Sequence, residues 1–504
     1  MTIDGKDLAA TEEVEGAQLS ASSGDERETM ADDKMISPSA VYPASFGSAN
    51  DSPADARVGP VAYRLYRRRY VGLVALVLLN IVGGMPAVWF GSISEDTARE
   101  FGFTLAQVNW FSNVLNLMYL PASVVFTLVG KRWGVRVTCY MASLFMVAAS
   151  WIRYAGTARS LSKDASLCLI MIAQLLAGIA QPAFQVIGPL YSETWFGLQS
   201  RTTVTMILGV ANPFGTGIAQ IISPLVSTPR ASILVLGVIC TAVAPTAFFM
   251  TNAPPTPPTY AAAQKTPSFK SLLRALVGQE PHTNHTYMTV RERVDFAIVT
   301  LNFGVFVGLV TAFSILTSQD FEPYGYSSDT AGFFGAVLFL VGLLMAAITS
   351  PLFDRVLTHH LALTCKILCP ILGVLWLSLI WAVKPHNTGA LYALMALIGG
   401  LSLPILPAAL ELAVELTRNA DGSAAILWSM GNLFCVMFVL AEGSLRSGAG
   451  TTPPFNMHRA IVFQGAFTLA ISATILGLQG KQARRELDEQ QMQEKSDVAL
   501  VDRP

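Results

Sequence analysis

The sequence predicts an all-α, polytopic membrane protein whose twelve transmembrane helices form two six-helix bundles. Of its 504 residues, 52% are hydrophobic and only 13% are charged, about half the charged share of an ordinary soluble domain. Apolar runs of about 20 residues, the length that crosses a bilayer, recur twelve times along the chain. A polar stretch divides these runs into two sets of six.

Five segments follow from these runs. Residues 1–62 lack a long apolar run and predict a disordered cytosolic tail. The first bundle, 63–251, and the second, 294–480, flank a cytosolic linker at 252–293, and residues 481–504 form a second tail. The predicted spans are, in order, roughly 70–93, 108–129, 136–156, 166–190, 202–225, 231–251, 294–317, 331–353, 361–383, 390–413, 423–443 and 459–479.

The linker contains one amphipathic segment. Apolar side chains repeat there at helical spacing, with Lys270, Ser271 and Arg274 on the other side. This pattern favours a short helix on the membrane surface, and an unstructured linker is the alternative. The apolar positions are Phe269, Leu272, Leu273, Leu276 and Val277.

Basic residues set the expected orientation. Lys and Arg flank the spans more than twice as often on the side that carries both termini as on the other side. The positive-inside rule then predicts that both termini are cytosolic. We expect a multi-pass protein of the plasma membrane rather than of an organelle, and a monomer.

Several function classes are excluded by composition. The 33 basic and 34 acidic side chains nearly cancel, which removes the electrostatic case for a nucleic-acid partner. The six histidines lie in loops or at span ends, and no enzyme motif has the required strand and helix context. We therefore expect no enzyme, no metal and no cofactor, and the expected partners are a small-molecule substrate and the lipid bilayer.

Uncharged amides are the main candidates for chemistry. A polar side chain is costly inside a bilayer, so it marks a functional site by default, although such amides also serve as hydrogen-bonding glue between helices. Together they predict a polar cavity between the bundles, in which two aromatic residues could bind a quaternary ammonium. The predicted substrate-binding residues are Gln181, Asn80, Asn113, Asn116, Asn212, Asn302, Asn432, Trp89 and Phe184.

Charged side chains are absent from the predicted mid-depth positions. Glu411, Glu415 and Asp295 fall toward the inner ends of their spans, and Glu442 falls toward the outer mouth. A proton-coupled carrier usually needs a titratable relay in the membrane interior. The sequence therefore predicts facilitated rather than proton-coupled transport.

Ordered motifs along the chain carry a family resemblance. They lie at 110–121, 134–136, 180–181, 195–197 and 212–217 in the first half, and at 302–304, 331–332, 354–355, 415–417 and 440–443 in the second half. With these, the chain resembles the feline leukaemia virus subgroup C receptor family of major facilitator transporters over nearly all of residues 64–480. The resemblance implies the twelve-helix major facilitator fold, alternating access, choline, ethanolamine, haem or vitamin-like substrates, and substrate contact by Gln181.

The same resemblance suggests a cytosolic gate. The superfamily's gate motif after the second span normally carries an Asp, which is absent from the segment Gly130-Lys-Arg-Trp-Gly-Val-Arg136 of this chain. In the second half, Asp354-Arg355 stands at the equivalent place. Asp354 is expected to pair with Arg201 and the start of the fifth span, and a solvated loop pair is the alternative. The predicted gating residues are Asp354, Arg355, Arg201, Arg132, Arg136, Glu193 and Glu415.

The leading functional hypothesis is a secondary transporter that moves a choline-like or other small amine by alternating access. A major facilitator exporter of an amphipathic metabolite or drug is the alternative within the same class. From a different class, a non-transporting membrane receptor or sensor stays open.

Overall fold

The structure is a computed structural model, and it describes residues 65–256, 268–281, 287–355 and 360–480. The tails predicted at 1–62 and 481–504 lie outside these residues. The described helices, in chain order, are α1 (Arg68–Val88), α2 (Ser94–Phe101), α3 (Leu105–Ala155), α4 (Lys163–Trp195), α5 (Leu198–Leu225), α6 (Pro229–Val243), α7 (Phe269–Val277), α8 (Val290–Phe321), α9 (Ser328–Arg355), α10 (Leu361–Ala382), α11 (Thr388–Thr417), α12 (Ala420–Ser444) and α13 (His458–Ala473).

Helix α3 contains two spans that meet at a break in the helix. In the described part of the chain, 11 helices are long and apolar enough to cross a membrane. The 51-residue α3 is interrupted at Gly134, whose φ of 85° and ψ of 173° are not helical. The break lets the chain turn back across the bilayer, so α3 supplies the second and third spans. The prediction of an all-α fold with twelve transmembrane helices is confirmed.

Side-chain caps fix where several helices begin. Thr104 caps α3 and Thr289 caps α8, each in a reciprocal capping box with the residue three positions on, Gln107 or Glu292. Such boxes satisfy backbone N–H groups that a helix start otherwise leaves without partners. The polar residues that bound the apolar runs therefore also set the ends of the spans.

Alternate crossings define two membrane faces. The face at which α1 begins is called the near face, and it includes residues 65–67, 131–136 and 250–256. The opposite face is called the far face, and it includes residues 89–104, 156–162, 226–228 and 445–457. The N-terminal half (α1 to α6) meets the C-terminal half (α8 to α13) chiefly where α5 packs on α9 and α3 packs on α12. Any site shared by the halves lies along these two contacts.

The linker helix α7 packs on the C-terminal half. Ser268 caps it, and Leu272 and Ala275 are buried. A Cβ atom on Gly422 of α12 would lie 2.6 Å from Leu272 Cδ2, so α7 and α12 touch there. A location of α7 at the membrane surface stays a prediction.

Candidate functional site

Three of the predicted amides meet inside the N-terminal half, and we call Asn80, Gln181 and Asn212 the amide cluster. Asn80 Nδ2 donates to the Phe184 carbonyl at 3.0 Å, and Asn212 Nδ2 donates to the Asn80 carbonyl at 3.3 Å. Gln181 Nε2 donates to Asn212 Oδ1 at 3.4 Å. All three are buried, but Gln181 Oε1 has no hydrogen-bond partner among the described residues. The cluster therefore links α1, α4 and α5, and it leaves two buried acceptors unpaired among the described residues, Gln181 Oε1 and Asn80 Oδ1.

Small residues and prolines let these helices approach one another. A Cβ atom on Gly84 would lie 2.5 Å from the Asn212 carbonyl oxygen, so only glycine fits at this crossing. Pro182 and Pro213 lie directly after Gln181 and Asn212 within α4 and α5. A proline inside a helix removes one backbone hydrogen bond, which leaves an earlier carbonyl oxygen unpaired. The backbone around the cluster thus adds polar groups to those of the side chains.

The two predicted aromatic residues are fully buried. Trp89 Nε1 donates to Ser232 Oγ at 3.0 Å, and its carbonyl accepts from Ser223 Oγ at 2.6 Å. Trp89 is therefore held against α5 and α6. Phe184 packs close to α1, since a Cβ atom on Gly83 would lie 3.1 Å from its ring. Their assignment to substrate binding stays a prediction.

Asn113 and Asn116 lie on the part of α3 that faces the C-terminal half. Asn116 Nδ2 lies 3.3 Å from Cys435 Sγ, and two turns further on Ser123 Oγ is 3.2 Å from Ser429 Oγ. Asn113 is fully buried, and neither of its amide atoms has a partner among the described residues. These contacts fix the register of α3 against α12.

The predicted amides of the C-terminal half, Asn302 and Asn432, donate to groups within that half. Asn302 Nδ2 donates to the Ile298 carbonyl and to Thr474 Oγ1, both at 3.0 Å. Asn432 is half-buried and donates to the Trp428 carbonyl of its own helix at 2.8 Å. The structure does not bring these two amides into the amide cluster.

Side-chain hydrogen bonds join the two halves at the far face. Ser94 Oγ and Ser318 Oγ are 2.6 Å apart, and Gln319 Nε2 donates to Asn109 Oδ1 at 2.8 Å. Both pairs are buried. Helices α2 and α3 are thereby fixed to the last turn of α8.

Further contacts extend this closure across the far face. Gln220 Nε2 donates to the Ser314 carbonyl at 2.7 Å. The Arg446 guanidinium donates to Glu95 Oε1 at 2.9 Å, which joins the loop after α12 to α2. The two halves are therefore in direct contact along this face.

Toward the near face, the surroundings of α5 become less crowded. Gly209 and Gln220 lie about three turns apart and thus on the same side of the helix. At Gln220 that side touches α8, and at Gly217 a Cβ atom would lie 2.8 Å from Phe339 Cβ. At Gly209 a Cβ atom would meet no atom within 4 Å. Open space therefore adjoins α5 one turn from Asn212, on the near side of the amide cluster.

The predicted gating residues are only partly described. Arg132 and Arg136 are exposed at the near face, where Arg136 Nε donates to Tyr140 Oη at 2.7 Å. Glu415 is buried near the end of α11. The structure does not describe the side chains of the other four, so their pairing stays a prediction, and they are Glu193, Arg201, Asp354 and Arg355.

Sequence reasoning missed two features of the far face. Glu95 and Arg446 are separated by 351 positions and form an ion pair that no sequence pattern indicates. Asp320 and Glu442 are buried, with relative exposures of 2% and 1%. A signal for Asp320 exists in the polar run 317–320, which continues an apolar helix without a break. A polar run that remains helical needs partners from neighbouring elements.

Comparison with known proteins identifies the family. The family model described as Major Facilitator Superfamily matches residues 63–440. The chain belongs to the Major Facilitator Superfamily. It is therefore a multi-pass integral membrane transporter of a small-molecule substrate and not an enzyme, as the sequence predicts.

Individual members of the superfamily are similar over most of their length. Solute carrier family 49 member A3 of Danio rerio is 26% identical over 78% of this chain and 82% of its own. The choline/ethanolamine transporter flvcr2a of Danio rerio is 24% identical over 77% and 83%, and FLVCR1 of Mus musculus, with the same description, is 22% identical over 84% and 78%. These relatives support the resemblance noted in the sequence.

Solved structures share the fold. A D-xylose-proton symporter aligns with a TM-score of 0.62 and 10% identity over 82% of this chain and 99% of its own. The xylose transporter XylE from E. coli, in a partially occluded inward-open conformation, aligns with a TM-score of 0.57 and 12% identity over 80% and 97%. At this identity the likeness supports the major facilitator fold alone.

Proposed function

We propose that this transporter carries a small organic amine of the size and chemistry of choline by alternating access. The observation that carries the proposal is an asymmetry around the amide cluster. The far face is closed by Ser94, Gln319 and Arg446, while open space adjoins Gly209 on the near side. Relatives described as choline/ethanolamine transporters support the choice of substrate.

Gln181 is the substrate contact that we favour. Asn80 Oδ1 and Gln181 Oε1 are both buried acceptors without a partner among the described residues. Asn80 Nδ2 is held by two backbone carbonyls, whereas the Gln181 amide is tied only to the side chain of Asn212. An unpaired buried acceptor costs free energy until a donor reaches it. The hydroxyl group of choline or the ammonium group of ethanolamine is such a donor.

The near face is proposed to be cytosolic. Lys and Arg are concentrated beside the near-face ends of the spans, and the positive-inside rule places such ends in the cytosol. The conformation described above is then closed to the outside and open toward the cytosol. We propose the plasma membrane as the site of action and a monomer as the active unit.

Transport is proposed to be facilitated. Asp320 lies in the last turn of α8 and Glu442 in the last turn of α12, both at the far face. Neither carboxyl group lies at mid-depth beside the amide cluster, where a proton relay would be needed. A gradient of the solute itself then suffices to drive transport.

The test is uptake of radiolabelled choline by proteoliposomes that contain the full-length protein. Gln181→Ala should lower the initial rate about tenfold, because one hydrogen bond to a charged ligand is lost. Gln479→Ala, at an exposed glutamine, is the matched control and should transport normally. In the same vesicles, an imposed pH gradient should not drive accumulation of choline.

Each failure has a distinct meaning. Equal uptake by Gln181→Ala and the native protein would contradict the assigned site. Export of amphipathic compounds without choline uptake would favour the exporter hypothesis. Choline binding without any flux would favour a receptor or sensor.

A further inference from the structure

Two carboxyl groups are buried at the far end of the interface between the halves. Asp320 is at the end of α8 and Glu442 at the end of α12, and both are almost completely buried. Both oxygens of Asp320 and Oε1 of Glu442 have no hydrogen-bond partner among the described residues. Carboxyl groups in such surroundings need an additional partner.

The residues next to the two acids in the chain both approach Asn109 of α3. Asn109 Oδ1 accepts from Gln319 Nε2 at 2.8 Å, and Asp320 follows Gln319 directly in the chain. On the other side, a Cβ atom on Gly443 would lie 3.8 Å from Asn109 Nδ2, and Glu442 directly precedes Gly443. Asp320 therefore lies within electrostatic range of Glu442.

Asn113 supplies an independent sign of a ligand. It lies one turn from Asn109 and one turn from Asn116, on the side of α3 that contacts α8 and α12. Its side chain is fully buried, and its amide oxygen and nitrogen both lack partners among the described residues. The neighbouring Ser112 Oγ is in the same state. An unpartnered buried amide thus lies on the side of α3 that packs against the helices of the two acids.

No positive side chain near the acids is free to neutralise them in the described part of the chain. Arg446 is committed to Glu95 and to the Phe455 carbonyl. Arg99 on α2 pairs with Asp96 at 3.4 Å. The remaining titratable groups around the pair are neutral or acidic. They are Tyr324 beside Asp320, Cys435 on α12, Glu95 and Asp96 on α2, and Glu322 after α8.

Two unpaired carboxylates cannot both stay charged in such a place without a counter-charge, because burying a charge away from water is costly. One positive charge between them removes most of that cost, since opposite charges attract strongly where water is excluded. The ligand that fits is small, because the surrounding side chains are in close contact. A monovalent cation meets both requirements.

We propose that Asp320, Glu442 and the amide of Asn113 form a binding site for one small monovalent cation, a proton or a sodium ion, that is occupied while the far face is closed. Opening of that face separates α8 and α12 from α3, so the site is lost and the cation is released. The cation enters and leaves through the far face. It is not carried across, so transport remains facilitated while far-side cation concentration controls the gate.

The test measures the closed fraction of the far face by double electron–electron resonance on the full-length protein in nanodiscs. Spin labels are attached through Arg159→Cys and Lys384→Cys, at exposed positions of the two halves, in a Cys168→Ser background that removes an exposed native thiol. No substrate is added, so a failure here is separate from a failure of the choline proposal. One arm varies pH across roughly 5 to 9 without sodium, and the other varies sodium against potassium at alkaline pH.

The closed state binds the cation, so its fraction should rise with acidity or with sodium. For one proton per gate, the closed-to-open ratio should change at most about tenfold for each pH unit. A response to acid alone assigns a proton, and a response to sodium assigns the metal ion. A closed fraction that is constant in both arms would overturn the proposal.

Variants that replace the acids with uncharged side chains test which residues cause the response. Glu442→Gln together with Asp320→Asn should keep the far face closed and abolish the response, because both charges that need the cation are gone. Glu442→Gln alone should diminish the response, because the Asp320 carboxyl remains. Asp329→Asn, at an exposed acid of the same face, is the matched control and should respond like the native protein. An undiminished response in Glu442→Gln would overturn the assignment even if the double variant failed to fold.

Discussion

At the scale of single residues, the amides divide into two roles that look identical in the sequence. Asn80 and Asn212 donate to backbone carbonyls of neighbouring helices, whereas Gln181 donates only to the Asn212 side chain and retains an unpaired acceptor, as Asn80 also does. Their residue type and depth could be predicted, because polar side chains stand out in apolar runs. Their partners could not, because the apolar period does not say which helix a given face will meet. Trp89 is an example, since its bond to Ser232 depends on the packing of α6.

The close crossing of α1 and α5 at Gly84 gives a prediction at this scale. Gly84→Ala should lower the free energy of unfolding by about 1–3 kcal/mol, because the new methyl group would overlap the Asn212 carbonyl. Thermal unfolding of the purified protein measures the change. Gly389→Ala is the matched control, since its Cβ atom would meet nothing within 4 Å. Equal loss of stability in both variants would argue against the crossing as the cause.

At the scale of elements, the sequence specifies the spans better than it specifies their ends. Runs of about 20 apolar residues predict each crossing, and even the two spans merged in α3 were separable because Gly134 and its basic neighbours interrupt the apolar pattern. The short helix α2 was not predicted. Its polar residues belong to no apolar run, yet it carries Ser94 and Glu95, which close the far face.

The ion pair between α2 and the loop after α12 can be tested by a double-mutant cycle. Glu95→Ala and Arg446→Ala should each lower the closed fraction of the far face, by up to about fivefold in the closed-to-open ratio, because the pair is partly exposed to solvent. The double variant should lose no more than either single one. Spin-label distances between positions 159 and 384 provide the measurement. Additive losses would mean that the two residues act on the gate independently.

At the scale of the whole molecule, the two halves touch at the far face, and open space adjoins α5 on the near side of the amide cluster. The contacts of Gln220 and Ser94 at the far face, and the space beside Gly209, lie on opposite sides of the amide cluster. A rigid-body rotation of the halves would exchange these conditions without unfolding any helix. A ligand shifts such an equilibrium only as far as it binds one state better than the other.

Reciprocal distance changes at the two faces test the central claim, alternating access, most directly. One labelled pair reports the far face through positions 159 and 384, and a second reports the near face through the exposed residues Arg132 and His360. As choline is added to the reconstituted protein, the account predicts that the far-face distance and the near-face distance change in opposite directions. Fixed distances at both faces in a preparation that transports choline, or changes of the same sign, would contradict it.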